Sequence, residues 1–177
     1  MRKMVLAAVL SSAASFSSAN GFYVGADYLM LDTDLKAFGE SAGTEPKGLS
    51  VKFGGAFSEY FSGEAMLGIG TQDDTVKDAG FDFELDLLIG ASVIGSLPLN
   101  DVFKVYGKIG LAKIEYSDSD DDRADASGLL YGVGFAADFC EKYGVNLEYI
   151  QYPDGEYDDY EIDVETASLN LGVYRKF

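Results

Sequence analysis

The chain has 177 residues, with 13 Lys and Arg against 30 Asp and Glu, no His and one Cys. The formal charge of -17 excludes a nucleic-acid partner, whose phosphates need clustered cations. The lack of His removes the commonest proton carrier and metal ligand, and a lone Cys140 can close no internal disulfide.

The chain opens with Arg2 and Lys3, an apolar run from Met4 to Leu10, and a Ser/Ala-rich stretch closing at Ser17-Ser18-Ala19. This pattern predicts a cleavable secretory signal peptide over 1–19, cut before Asn20, with one domain over 20–177. The apolar run is far too short to span a bilayer as a helix. No Cys stands near the cleavage point, so no lipoprotein anchor is expected.

Beyond the leader, 12 Phe and 12 Tyr with 21 Gly and only three Pro argue for an all-β domain. Eight segments alternate with period two, at 21–33, 48–58, 63–72, 80–94, 102–116, 127–139, 144–152 and 161–177. In the second, Leu49, Val51, Phe53 and Phe57 share a parity opposed by Lys52 and Gly54. In the fourth, Phe81, Phe83, Leu85, Leu87, Ile89, Ala91 and Val93 alternate with Asp82, Glu84, Asp86, Gly90 and Ser92. Successive strand side chains face opposite ways, so each segment has one greasy side and one polar or small side. The Gly-rich polar side suits the crowded inside of a small barrel. The greasy side then faces hydrocarbon, and most runs reach the ~9–11 residues a tilted strand needs to cross it. The predicted fold is an eight-stranded antiparallel up-and-down transmembrane β-barrel preceded by the signal peptide. In the last segment Ile162 and Val164 fall on the opposite parity from Leu169 onward, which leaves either a bulge near Thr166–Ser168 or a strand top outside the bilayer.

With both termini on the periplasmic side, Phe22, Phe57, Phe103, Phe139 and Phe177 fall at the same ends of their strands and predict an aromatic girdle. Tyr28, Phe81 and Tyr149 are candidates for the opposite rim. Short turns are expected at 59–62, 95–101 and 140–143, and longer outer loops at 34–47, 73–79, 117–126 and 153–160. The inward parity collects Asp27, Glu64, Asp82, Glu84, Asp86, Asp138 and Glu148 against Lys52, Lys104 and Lys108. Lone charges in so narrow a lumen are costly, so these are expected to pair across the barrel. Inward Gly residues are expected to give neighbours room.

The closing Leu171-Gly-Val-Tyr-Arg-Lys-Phe177 resembles the terminal strand of the OmpA/OmpX-like outer-membrane β-barrel family. Gly21-Phe-Tyr-Val-Gly-Ala26, Tyr131-Gly-Val-Gly-Phe135 and Gly144-Val-Asn-Leu-Glu-Tyr149 are similar to that family in style. The resemblance implies that Phe177 is the assembly signal, read by the barrel-assembly machinery with periplasmic chaperones as helpers. It implies a monomer surrounded by outer-membrane lipids and lipopolysaccharide. Larger members add a peptidoglycan-binding domain after the barrel; the sequence stops at Phe177, so tethering to the cell wall is not expected.

The function expected is structural or surface-interacting, without enzymatic activity or cofactor, through acidic outer loops. Related barrels that act on lipid A rely on His with Ser, and this chain has no His. The alternating Asp82, Glu84 and Asp86 have a spacing that any inward strand gives. Asp118, Asp120 and Asp122 are weak candidates for a surface divalent cation, but Arg123 and Leu129 break an EF-hand pattern. Two alternatives stand beside this reading: a small cation-preferring pore and a secreted lipocalin-like lipid-binding barrel.

Overall fold

The computed structural model describes residues 21–37, 40–44, 46–72, 74–75, 82–118, 123–157 and 160–177. Eight long strands form the wall: β1 (Phe22–Ala37), β3 (Lys47–Ala56), β4 (Phe61–Gln72), β6 (Asp82–Pro98), β7 (Phe103–Asp118), β8 (Arg123–Asp138), β9 (Tyr143–Gln151) and β11 (Tyr160–Lys176). Three short pieces, β2 (Glu40–Thr44), β5 (Asp74–Thr75) and β10 (Gly155–Tyr157), extend the hairpins at one end. Each long strand pairs antiparallel with the next, and β1 closes on β11 without interruption from Tyr23↔Lys176 to Lys36↔Asp163. That unbroken register removes the bulge as an explanation of the parity change near Thr166–Ser168. The sheet is an eight-stranded antiparallel barrel, and among the described residues no helix occurs.

The two ends of the barrel differ. At one, four-residue turns at 57–60, 99–102 and 139–142 join the strands. Each is closed by the same backbone bond: Phe57 N donates to Phe61 O at 3.1 Å, Leu99 N to Phe103 O at 2.8 Å, and Phe139 N to Tyr143 O at 2.9 Å. The second turn position carries a small side chain that folds back in two cases. Ser58 Oγ accepts from Phe61 N, and Asn100 Oδ1 accepts from both Val102 N and Phe103 N. Cys140 occupies the matching position in the third turn and is exposed. The turns lie a few residues away from the expected 59–62 and 95–101 because pairing runs on through Gly95↔Gly107 to Pro98↔Lys104. At the loop end, β1, β7, β8 and β11 continue as ladders into the expected loop segments.

The outer wall is an apolar belt. Leu49, Ile69, Ile89, Val93, Ile109, Leu111, Leu129, Val133, Leu147, Leu171 and Val173 are all exposed. The belt stops at one height: Asp32, Lys47, Thr71, Lys113, Ser127 and Gln151 take the outward positions next above it. From Phe22 to Met30 it spans about 26 Å of strand, which matches the roughly 25 Å apolar band of a membrane barrel before tilt.

The lumen is filled in three tiers, as an eight-stranded barrel requires. Toward the loop end, Leu29, Leu31, Met66, Leu85, Leu88, Ala112, Ile114, Leu130, Ile150 and Tyr152 form one buried cluster. Charged side chains follow in the middle. Nearest the turns, Tyr106, Tyr174, Ile94 and Ala136 pack together with Tyr23. The apolar top tier corrects the expectation of a polar lumen throughout. Its clearest case is Leu85, expected outward but only 1% exposed. The β6–β7 register slips between Leu85↔Tyr116 and Leu87↔Glu115, leaving Asp86 as the extra residue of a bulge. Below the bulge the parity is as expected, with Ile89 and Val93 outward; above it the faces exchange.

Several inward glycines face a bulky partner across the ladder. Tyr23 lies opposite Gly54, Tyr106 opposite Gly134 and Tyr174 opposite Gly144. A Cβ at any of the three would run into the tyrosine ring. These close approaches fit three tyrosines inside a narrow cylinder, where Tyr23 and Tyr106 aim their hydroxyls at the charged tier and Tyr174 aims its own at Asp138.

Candidate functional site

The middle tier is an ion-pair chain drawn from five strands. Lys52 Nζ (β3) stands 2.7 Å from Asp27 Oδ1 (β1) and 3.3 Å from Glu148 Oε1 (β9). Lys108 Nζ (β7) stands 3.0 Å from Glu148 Oε2 and 2.7 Å from Glu64 Oε1 (β4). Glu148 thus bridges two lysines, one through each oxygen. The remaining lone pairs are met by neutral donors. Tyr106 Oη donates to Glu148 Oε1 at 2.6 Å, Tyr23 Oη to Glu64 Oε2 at 2.5 Å, and Asn146 Nδ2 to Asp27 Oδ1 at 3.0 Å. All five charged groups are buried. Charges held away from water persist only when paired and hydrogen-bonded, and this chain meets both conditions.

A second pair guards the mouth at the turn end. Asp138 accepts from Lys176 Nζ and, at 2.6 Å, from Tyr174 Oη. Lys104 lies half-buried with its ammonium 5.3 Å from the centre of the Tyr174 ring. Between this mouth and the ion-pair chain is a cavity of about 60 Å³, lined by Ser62, Ser96, Lys104, Tyr106, Asn146 and Tyr174 among others. It is large enough to hold ordered water.

The structure therefore brings Asp27, Lys52, Glu64, Lys108 and Glu148 into one chain, and sets Lys104 and Asp138 apart at the mouth. Asp86 is the bulge residue and takes no part. The side chains of Asp82, Glu84 and Asp118 lie outside the described residues, as do Asp120 and Asp122 entirely. Among the described side chains of the lumen, four carboxylates (Asp27, Glu64, Asp138, Glu148) meet four ammonium groups (Lys52, Lys104, Lys108, Lys176). Lys176 balances the count. Its parity, opposite to Arg175 and Phe177, already placed it inside, so the signal was present in the sequence. The three tyrosines carried no such signal, because their role depends on which glycine lies across the ladder.

Outside the barrel, Phe22, Phe57, Phe103, Phe139 and Phe177 all stand at the turn end. The Phe22 and Phe177 rings meet at 5.6 Å, Phe57 stacks on Phe61 at 6.4 Å, and Phe103 stacks on Phe135 at 5.4 Å. Toward the other rim Tyr28 and Tyr149 are exposed; Phe81 lies outside the described residues. Among the described residues no group of three or more His, Cys, Asp or Glu is placed to hold a metal ion.

Residues 4–177 match the family model of the outer membrane protein beta-barrel domain. The chain belongs to this outer-membrane β-barrel family. No curated protein matches it. Among solved structures it is similar to Neisserial surface protein A, with a TM-score of 0.66 and 19% identity over 89% of this chain and 99% of that one. It is also similar to OprG of Pseudomonas aeruginosa, with a TM-score of 0.62 and 18% identity over 90% and 96% of the two chains. A third is Ail, the attachment invasion locus protein of Yersinia pestis, solved with the heparin analogue sucrose octasulfate (TM-score 0.58, 15% identity, 90% and 99% covered). At these identities the likeness shows the fold.

Glu148 is the carboxylate shared by two buried ammonium groups. Glu148→Gln leaves Lys52 with Asp27 and Lys108 with Glu64 but removes one charged partner from each, and should lower unfolding free energy in urea by about 2–3 kcal/mol. The exposed pair of Lys113 and Glu115, 2.9 Å apart, gives the contrast: Glu115→Gln should cost at most about 1 kcal/mol. Equal costs would contradict the paired-lumen account.

Proposed function

We propose that the protein is an integral barrel of a Gram-negative outer membrane with a structural and surface-interacting role, non-enzymatic and monomeric. The observation that carries this reading is the exposed apolar belt around a closed barrel whose charges are turned inward. Only hydrocarbon makes that arrangement favourable. A lipocalin would turn the belt inward to line a ligand cavity. A cation-preferring pore is disfavoured by the loop-end tier of leucines and isoleucines, which stands between the charged tier and the outside. Among the described residues the lumen's carboxylates and ammonium groups are equal in number, without the acid ring that would select cations.

In this reading the turn end and the girdle face the periplasm, and residues 1–19 serve as the export leader. The hairpins beyond the belt then carry the acidic stretches around Asp118–Asp125 and Asp154–Glu161 outward, toward lipopolysaccharide and its divalent cations. Phe177 reaches the girdle through its ring contact with Phe22 and its N–H bond to Phe22 O at 2.8 Å. We read it as the assembly signal.

Urea washing of membranes from expressing cells should leave the protein in the pellet, and Ile109→Arg should cost the barrel about 2–4 kcal/mol of stability in a bilayer. Release into the soluble fraction, or a neutral Ile109→Arg, would count against the reading. Deleting Phe177 should lower the amount of heat-modifiable barrel in membranes; undiminished levels would remove its assembly role.

A further inference from the structure

The small cavity near the turns lies between two groups of charges that do not balance separately. On its inner side the ion-pair chain sets three carboxylates (Asp27, Glu64, Glu148) against two ammonium groups (Lys52, Lys108), a surplus of one negative charge. On the mouth side Lys104 and Lys176 face Asp138, a surplus of one positive charge. The space of about 60 Å³ between them is therefore crossed by a field that runs from the mouth to the chain. Water reaches it past Lys176 and Asp138, whose side chains are 33% and 21% exposed.

The polar groups on the cavity wall are unevenly used. Among the described residues Lys104 makes neither an ion pair nor a hydrogen bond, only its contact with the Tyr174 ring. The hydroxyls of Ser62 and Ser96 likewise have no hydrogen-bond partner among the described residues. Register sets these three side by side. Ser96 is one inward position below Ile94, the ladder partner of Ser62, and Lys104 is one inward position below Tyr106, the partner of Ser96. Three neighbouring strands thus present an arc of unused donors. Lys52 and Lys176 also line the cavity, but their ammonium groups are held by carboxylates. At the inner end stand Glu64 and Glu148. Glu64 accepts two hydrogen bonds and Glu148 three, where a carboxylate offers about four acceptor sites, so each keeps spare capacity.

We propose that this cavity binds a small zwitterion, its carboxylate on Lys104, Ser62 and Ser96 and its ammonium toward Glu64 and Glu148. A lone anion would be held near the surplus carboxylate, and a lone cation near Lys104; a molecule carrying both charges meets the opposite sign at each end. The space takes several waters, or in their place one molecule of about five heavy atoms, the size of glycine. The site depends on the lumen alone, so its failure would leave the membrane reading untouched.

The test uses the full barrel, labelled with ¹⁵N and refolded in detergent micelles, with amide shifts followed by NMR at fixed ionic strength. Glycine should give saturable shifts at Ser62, Ser96 and Lys104. Acetate and methylammonium should each bind at least about tenfold more weakly, because each meets only one end of the site. Free leucine, too large for the space, should leave these amides unmoved. Lys104→Gln should weaken glycine about tenfold. That variant has no ion pair to lose and should assemble as the wild type does; the double variant Ser62→Ala, Ser96→Ala, which leaves every ion pair intact, should weaken glycine several-fold and serves if it does not. Shifts that never saturate would leave the cavity to water and overturn the site. Acetate binding as tightly as glycine would overturn the zwitterion in favour of a plain anion, and glycine binding unchanged in the variants would overturn the assignment of its carboxylate.

Discussion

Hydrocarbon offers no hydrogen-bond partner, and every other feature of this molecule is a consequence of meeting that constraint. A sheet with a free edge would leave a row of N–H and C=O groups unpaired, each at a cost of several kcal/mol. The pairing of β1 with β11, unbroken from the girdle to beyond the belt, abolishes that edge. Closure with eight strands sets the radius, and the radius sets what the inside can be. It is too narrow for a water column and wide enough to need filling.

The filling is graded along the axis. Charged groups occupy the middle, where Glu148 can reach two lysines and each carboxylate can reach a neutral donor. Tyrosines lie beneath them, fitted against glycines across the ladder. The leucine-rich tier at the loop end performs the work of an ordinary protein core. In that sense the barrel is half inverted: its outer belt is dressed for lipid, yet its loop-end interior is packed like that of a soluble protein. The same tier separates the small cavity near the turns from the outside, which favours an anchored, closed body over a conducting one. Functional variety is then left to the hairpins above the belt and to the lipid-facing wall.

Much of this was legible from residue order, because period two is a strong and redundant signal when eight strands repeat it. The outward set, the strand number, the girdle positions and the membership of Asp27, Lys52, Glu64, Lys108 and Glu148 in the inward parity all follow from alternation alone. Three things did not. The bulge at Asp86 exchanges faces in mid-strand, and nothing in Phe-Glu-Leu-Asp-Leu-Leu marks which residue is extra. The apolar tier escaped because Leu29, Leu31, Leu130 and Ile150 adjoin outward apolar residues, so their strands read as continuous greasy runs at the loop end. The tyrosine–glycine contacts depend on register, which links residues as distant as Tyr23 and Gly54.

The account stands on which side of the wall meets lipid. The natural chain contains no Trp, so a single introduced Trp reports without background. Phe135 and Tyr106 lie one step apart across the β7–β8 ladder, at nearly the same depth and on opposite faces. In vesicles whose acyl chains carry bromine, Phe135→Trp fluorescence should be strongly quenched and Tyr106→Trp fluorescence largely spared. Equal quenching, or stronger quenching at 106, would contradict a barrel that wears its apolar face outward.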